Sequence, residues 1–146
     1  MRRSMAPLFL LSVLLTACSV DRAPNEPVQS QGPVVGDWVL AGGTIDGVDA
    51  PVLEDHRITM TITGSRIGGT AACNSYGGEL AMRGDGLHLE NLAQTEMACA
   101  EPAMAAESAY LAALARVREI GRDGQALVAR GDGVELRFDA LLEASV

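Results

Sequence analysis

Short alternating runs of apolar and polar residues fill most of the chain beyond residue 34. In "RITMTIT", Ile58, Met60 and Ile62 alternate with Thr59, Thr61 and Thr63, a period of two that lays one face of a strand on a core. "GDWVLAGGTI" puts Trp38 and Leu40 on one face and leads into a turn at Asp46-Gly47. "SRIGGTAAC" reads as a strand so poor in side chains that another element can approach it closely. "GELAM" and "LHLENL" flank an Arg-Gly-Asp-Gly turn at Arg83 to Gly86, and "QALVA" and "VELRF" flank a second at Arg130 to Gly133. In the last run Val134, Leu136 and Phe138 face inward while Glu135 and Arg137 face out. Asp-Gly between alternating runs is a strong hairpin signal, so turn chemistry accounts for both Arg-Gly-Asp copies without an adhesive role.

One segment changes period. "EPAMAAESAYLAALARVRE" is rich in alanine, with Pro102 suited to a first helical turn. Met104, Leu111, Leu114 and Val117 form an apolar stripe, and Gly121 is the expected stop. Glu107 and Ser108 interrupt the stripe where helical spacing calls for apolar side chains. The pattern predicts many short strands and one helix that lies on the sheet or caps one end of a barrel.

The first 33 residues follow neither period. Arg2 and Arg3 precede an apolar run, "PLFLLSVLL", too short to span a bilayer and suited to an export signal. The run stops at Leu15-Thr16-Ala17-Cys18, which resembles a bacterial lipobox; the alternative is an ordinary secretory signal with Cys18 a bystander. The lipobox reading divides the chain into a signal peptide (1–17), a lipidated Cys18 with a polar, proline-rich tether to residue 33, and a domain from 34 to 146. Each acyl methylene adds about 0.8 kcal/mol of membrane affinity, so two or three chains hold the protein at a membrane. Ser19, rather than an aspartate, points to the outer membrane, facing the periplasm.

Charge narrows the partners. Nineteen acids oppose eleven arginines, there is no lysine, and the net charge is −8; cleavage before Cys18 leaves nine arginines and −10. A surface of that sign, with few stacking aromatics, disfavours nucleic acid. The missing lysine excludes Schiff-base and phosphate-loop chemistry that depends on it. The histidines, His56 beside Glu54 and Asp55, and His88 between Asp85 and Glu90, are too few for a zinc site. With Ser75 or Ser108 they suggest no triad spacing, and no nucleophile-elbow or zinc-protease motif is present. Neither a catalytic residue, a metal site nor a cofactor is expected. Asn74 is expected to satisfy backbone groups in the turn after its strand, and Tyr76 to be buried against the helix.

Three cysteines remain to be allocated. If lipid takes Cys18, Cys73 and Cys99 are left in an exported domain, where disulfides persist; the alternative is two buried thiols. Joined, they close a loop of about 26 residues, worth roughly 3 to 4 kcal/mol in the chain-entropy model. The bridge fastens the entry of the helix to a strand with few side chains of its own.

"GTAACNSYGGEL" followed by "LAQTEMACAEPAMAAESAYLAAL" resembles the META/HslJ heat-shock lipoprotein family. The first motif supplies Gly69, Cys73, Asn74, Tyr76 and Gly78; the second supplies Thr95, Met97, Ala98 and Cys99, with Glu107 and Leu111 beyond. Gly36 to Trp38 and the terminal "GVELRF" also fit, over roughly residues 33 to 140. Ala72 departs from the pattern, which has glycine there. The resemblance implies a mainly β fold with one helix (α+β): a small antiparallel β-barrel-like sheet, a single domain, with the helix packed against it. It implies envelope residence and, in some relatives, a link to heat shock or novobiocin resistance; it brings no catalytic residues.

The expected function is a non-catalytic, stress-related envelope lipoprotein, anchored to the membrane and binding an envelope protein or a small hydrophobic ligand. An inhibitor of an exported protease or lysozyme ranks second, since an acidic surface suits a basic enzyme. A hydrolase ranks third.

Overall fold

A computed structural model describes residues 34–141; the expected signal peptide, the expected lipidation at Cys18 and the expected tether fall outside the described residues. Nine strands and one helix follow in the order β1 (Gly36–Ile45), β2 (Val48–Asp49), β3 (Thr59–Thr63), β4 (Arg66–Thr70), β5 (Ser75–Arg83), β6 (Gly86–Gln94), α1 (Glu101–Leu114), β7 (Val117–Asp123), β8 (Ala126–Gly131) and β9 (Val134–Ala140). Eight strands form one antiparallel sheet in the order β6-β5-β4-β3-β1-β9-β8-β7, with β2 pairing β1 beyond the Asp46-Gly47 turn. The outer strands β6 and β7 approach each other without a hydrogen-bonded ladder. The sheet is thus a nearly closed barrel, the mainly β fold with one helix that the sequence predicts.

Alternation decides which residues fill it. Trp38 and Leu40 of β1 register with Met60 of β3 and Phe138 of β9, and all four are buried in the same apolar cluster. Both Arg-Gly-Asp-Gly segments form hairpins, β5–β6 and β8–β9, and their arginines bond across the strands to Glu90 and Glu135.

The helix runs from the end of β6 to the start of β7, so it crosses one end of the barrel. It stops at Leu114, seven residues before Gly121, and the segment from Val117 is strand β7. Val117 and Ile120 suit a strand, and pairing with β8 overrides the local helical preference. The buried face also differs from the predicted stripe: Ala103, Ala106, Glu107, Tyr110, Ala113 and Leu114 point inward, whereas Met104 and Leu111 are half-buried. Alanines permit close approach to the barrel end, and Glu107 turns inward because a partner awaits it there. Cys73 lies in the bend between β4 and β5 rather than in a strand.

The opposite end holds the Thr63–Arg66, Arg83–Gly86 and Asp123–Ala126 turns and the start of β1. No helix crosses it among the described residues, and none of the described helices is long and apolar enough to cross a membrane.

Candidate functional site

The two cysteine motifs meet where the helix enters. Cys73 and Cys99 are joined by a disulfide with their Cα atoms 6.0 Å apart. Beside it lies Asn74, 1% exposed, with every hydrogen-bonding position of its amide in use. Its Oδ1 accepts from Thr95 Oγ1 at 2.8 Å and from the Met97 amide at 2.7 Å. Its Nδ2 donates to the Met97 carbonyl at 3.1 Å and to Glu107 Oε1 at 2.9 Å. The Asn74 backbone amide donates to Glu107 Oε2 at 2.6 Å. Thr95 also accepts from the Ser75 amide, and its own amide donates to the Ser75 carbonyl.

The chemistry of this cluster is that of a latch. Asparagine carries two acceptor and two donor positions, and an ionised carboxylate is acceptor-only. Glu107, 3% exposed, therefore matches two N–H groups aimed at it, from a backbone and an amide of the same residue. A buried carboxylate left unpaired is costly; one held by two donors ties its helix to the barrel. Asn74 bonds backbone groups, as expected, but also the helix itself.

A second contact lies deeper. The Tyr76 hydroxyl donates to the Thr59 carbonyl at 3.1 Å, which leaves the Tyr110 hydroxyl, 2.7 Å away, to donate to Tyr76. The rings meet edge to face with centroids 5.6 Å apart. Burial pushes both phenols above the usual tyrosine range, and the bond from Tyr110 partly offsets the rise at Tyr76.

The remaining motif residues serve the backbone. A Cβ on Gly69, which has φ 152°, would overlap the Thr59 carbonyl oxygen, so the β3–β4 crossing demands glycine. Gly78 packs against the Glu90 carbonyl. Met97 contributes its amide and carbonyl while its side chain is 56% exposed; Ala98 is exposed and Leu111 half-buried. Ala72, at φ 74°, occupies the left-handed region, which accounts for the glycine that the family pattern places there.

The histidines lie elsewhere. His88 bonds Asp85 at 2.8 Å on the surface, which holds the Asp85 carboxyl below its usual range. No hydrogen bond among the described residues joins either histidine to Ser75 or Ser108, and no group of three metal-ligating side chains occurs among them. The barrel's open end has a shallow apolar cavity of about 340 Å³, lined by Val34, Ile62, Leu80, Met82, Leu87 and Ile120. The sequence does not reveal it, because a helix expected to run to Gly121 takes in Ile120, which the structure places in β7.

Comparisons with known proteins agree with this architecture. A family model for the META domain matches residues 33–141. An NMR structure of a protein from Burkholderia xenovorans is 31% identical with a TM-score of 0.62, covering 74% of this chain and 83% of that one. A second NMR structure, 19% identical with a TM-score of 0.54, covers 72% of this chain and 88% of its own and shows likeness of fold alone. No curated protein matches the chain.

Proposed function

The chain belongs to the META domain family, and from that premise we propose that it is a non-catalytic lipoprotein of a bacterial cell envelope, supporting stress tolerance by binding. The observation that carries the reading is the allocation of sulfur. The Cys73–Cys99 disulfide accounts for two of three cysteines, and Cys18 is left at the end of an apolar run in a lipobox-like setting. A disulfide suits an oxidising compartment, and acylation of Cys18 would place the domain there, at the outer membrane. The non-catalytic reading draws support from the motif chemistry: Asn74 and Glu107 bond each other and the backbone, with no donor or acceptor of the Asn74 amide left for a substrate.

The test is expression of the full chain in a two-membrane bacterium. The wild type is expected in the outer-membrane fraction, labelled by a fatty-acid tracer and with Cys73 and Cys99 unreactive to alkylation before reduction. Cys18→Ser is expected to lose the label. An unlabelled, thiol-reactive wild type in the cytoplasm would refute the reading. Loss of the gene is expected to raise sensitivity to heat or envelope-active antibiotics.

A second reading, inhibition of a basic exported hydrolase such as a lysozyme or protease, is favoured by the acid excess behind the net charge of −8. Inhibition by the unlipidated chain across a panel of such enzymes separates it from the first.

A further inference from the structure

The barrel closes unevenly. Gly86, at the start of β6, lies against the Arg118 carbonyl near the start of β7. The two antiparallel strands are therefore offset, and β7 beyond Arg118 runs past the start of β6. Inward-facing residues on that stretch, Ile120 and Arg122, border an opening instead of a neighbouring strand. Below Ile120 lies the apolar cavity of the open end, whose walls Val34, Leu80 and Leu87 also pack on the core. Met82 at its rim is 74% exposed.

Arg122 brings a cation to this end of the barrel, beside the cavity's lining residues and linked to its Val34 wall through Trp38. Its guanidinium carbon sits 4.7 Å from the centroid of the Trp38 ring, and the indole N–H donates to the carbonyl of Val34, a residue of the cavity wall. Its Nε is the one buried side-chain nitrogen or oxygen among the described residues without a hydrogen-bond partner. Its single side-chain bond is a long one, 3.5 Å, to the Gly124 carbonyl. Arg122 forms no ion pair among the described residues, whereas four arginines meet carboxylates directly: Arg83 with Glu90, Arg116 with Asp46, Arg130 with Glu135 and Arg137 with Asp123. An arginine held against an aromatic ring with an orphaned donor, next to half-buried aliphatic side chains, matches a ligand with an anionic fork and an apolar tail.

We propose that the open end of the barrel binds a free carboxylate amphiphile, a medium-chain fatty acid, with its chain along Ile62, Leu80, Leu87 and Ile120 and its carboxylate on Arg122. The cavity is at the small end of the range for small-molecule sites, about 300 to 1,000 Å³, which favours a medium chain over a two-tailed lipid. One guanidinium on a chain of net charge −8 favours a monoanion over a phosphate. This deepens the binding role proposed above and rests on it, yet the two fail separately: membrane anchoring and thiol protection do not depend on the cavity.

The only tryptophan, Trp38, lies under the arginine and reports binding. The full chain carrying Cys18→Ser is titrated below the micelle concentration with decanoate, decylammonium and butyrate, and emission is followed. Decanoate is expected to give a saturable change, decylammonium and butyrate none in the same range. Arg122→Gln is expected to weaken decanoate at least tenfold. Met82→Glu, at the exposed rim, is expected to weaken it without a change in melting temperature, which separates loss of the site from loss of the fold. No saturable response in the wild type, or equal responses to decanoate and decylammonium, overturns the proposal. Binding by a chain lacking residues 19–33 but not by the full chain would assign the cavity to the chain's own N-terminal segment and also overturn it.

Discussion

Replacing Asn74 with alanine removes four side-chain hydrogen bonds at once, one of them to a buried carboxylate. A neutral bond contributes about 1 kcal/mol net and one to a charged group about 2, so the sum is near 5 kcal/mol. Thr95 and Met97 are partly reached by water, which can replace some of their lost bonds and brings the expected loss to about 4 kcal/mol. That is a large share of the roughly 5 to 15 kcal/mol that holds a typical domain together. At about 4 °C per kcal/mol for a domain of this size, the melting temperature should fall by roughly 15 °C. The assay is guanidinium unfolding of the disulfide-intact chain, followed by Trp38 emission. Two companions make it specific. Thr95→Val, which removes the hydroxyl that bonds Asn74 Oδ1 and accepts from the Ser75 amide, should cost only about 1 to 2 kcal/mol. Asn74→Asp keeps the shape but turns the two donors into an acceptor facing Glu107 and the Met97 carbonyl. It should cost at least as much as alanine, because the new carboxylate offers no donor to Glu107 or to the Met97 carbonyl. A loss under about 1 kcal/mol for Asn74→Ala, or a loss equal to that of Thr95→Val, would refute the latch.

The other predictions rest on separate contacts. Opening the Cys73–Cys99 bridge frees a 26-residue loop, and unfolding measured with and without reductant should differ by about 3.5 kcal/mol. The chain has two tyrosines, both buried with phenols raised above the ordinary value of 10.0; absorbance near 295 nm should therefore show no phenolate as pH rises through 10 while the chain stays folded. Because the unfolded phenols ionise first, the stability they contribute is complete below that pH and declines above it, and unfolding should coincide with the appearance of phenolate. Gly69→Ala places a Cβ onto the Thr59 carbonyl and should cost more than the roughly 1 kcal/mol typical of point substitutions, read from the same guanidinium midpoint.

Strands with one buried face could be read from their alternation because each residue's side follows from its neighbours. Ile58, bridged to Ala71 just before β3, Met60 and Ile62 within it, and Val134, Leu136 and Phe138 in β9 needed nothing else. The hairpins were equally local, since Asp-Gly sets the chain reversal by its own geometry. The helix end was not local. "LARVREIG" keeps helix-forming side chains through Arg118 and Glu119, and only the β8 ladder makes a strand of it. The pairing of Asn74 with Glu107 spans 33 residues and leaves one trace in the sequence, a glutamate interrupting an apolar stripe. That interruption was the latch. A helix that runs to Gly121 takes in the first part of β7, so the place of Arg122 on the inward face next to Ile120 is not legible in the sequence.

The two ends of the barrel follow opposite rules of polar satisfaction. At the helix end, the buried amide, carboxylate and phenol groups all have partners, which rigidifies the entry of the helix and leaves little chemistry over for a ligand. At the open end, a buried guanidinium nitrogen lacks a partner and apolar side chains remain half-covered. Both features cost stability, and a fold tends to retain such costs where a second molecule relieves them. The paired cysteine motifs sit at the satisfied end, so they specify the scaffold. If the open end takes the ligand proposed above, Ile62, Leu80, Leu87, Ile120 and Arg122 are the positions in this chain where a change should alter binding while leaving the helix latched.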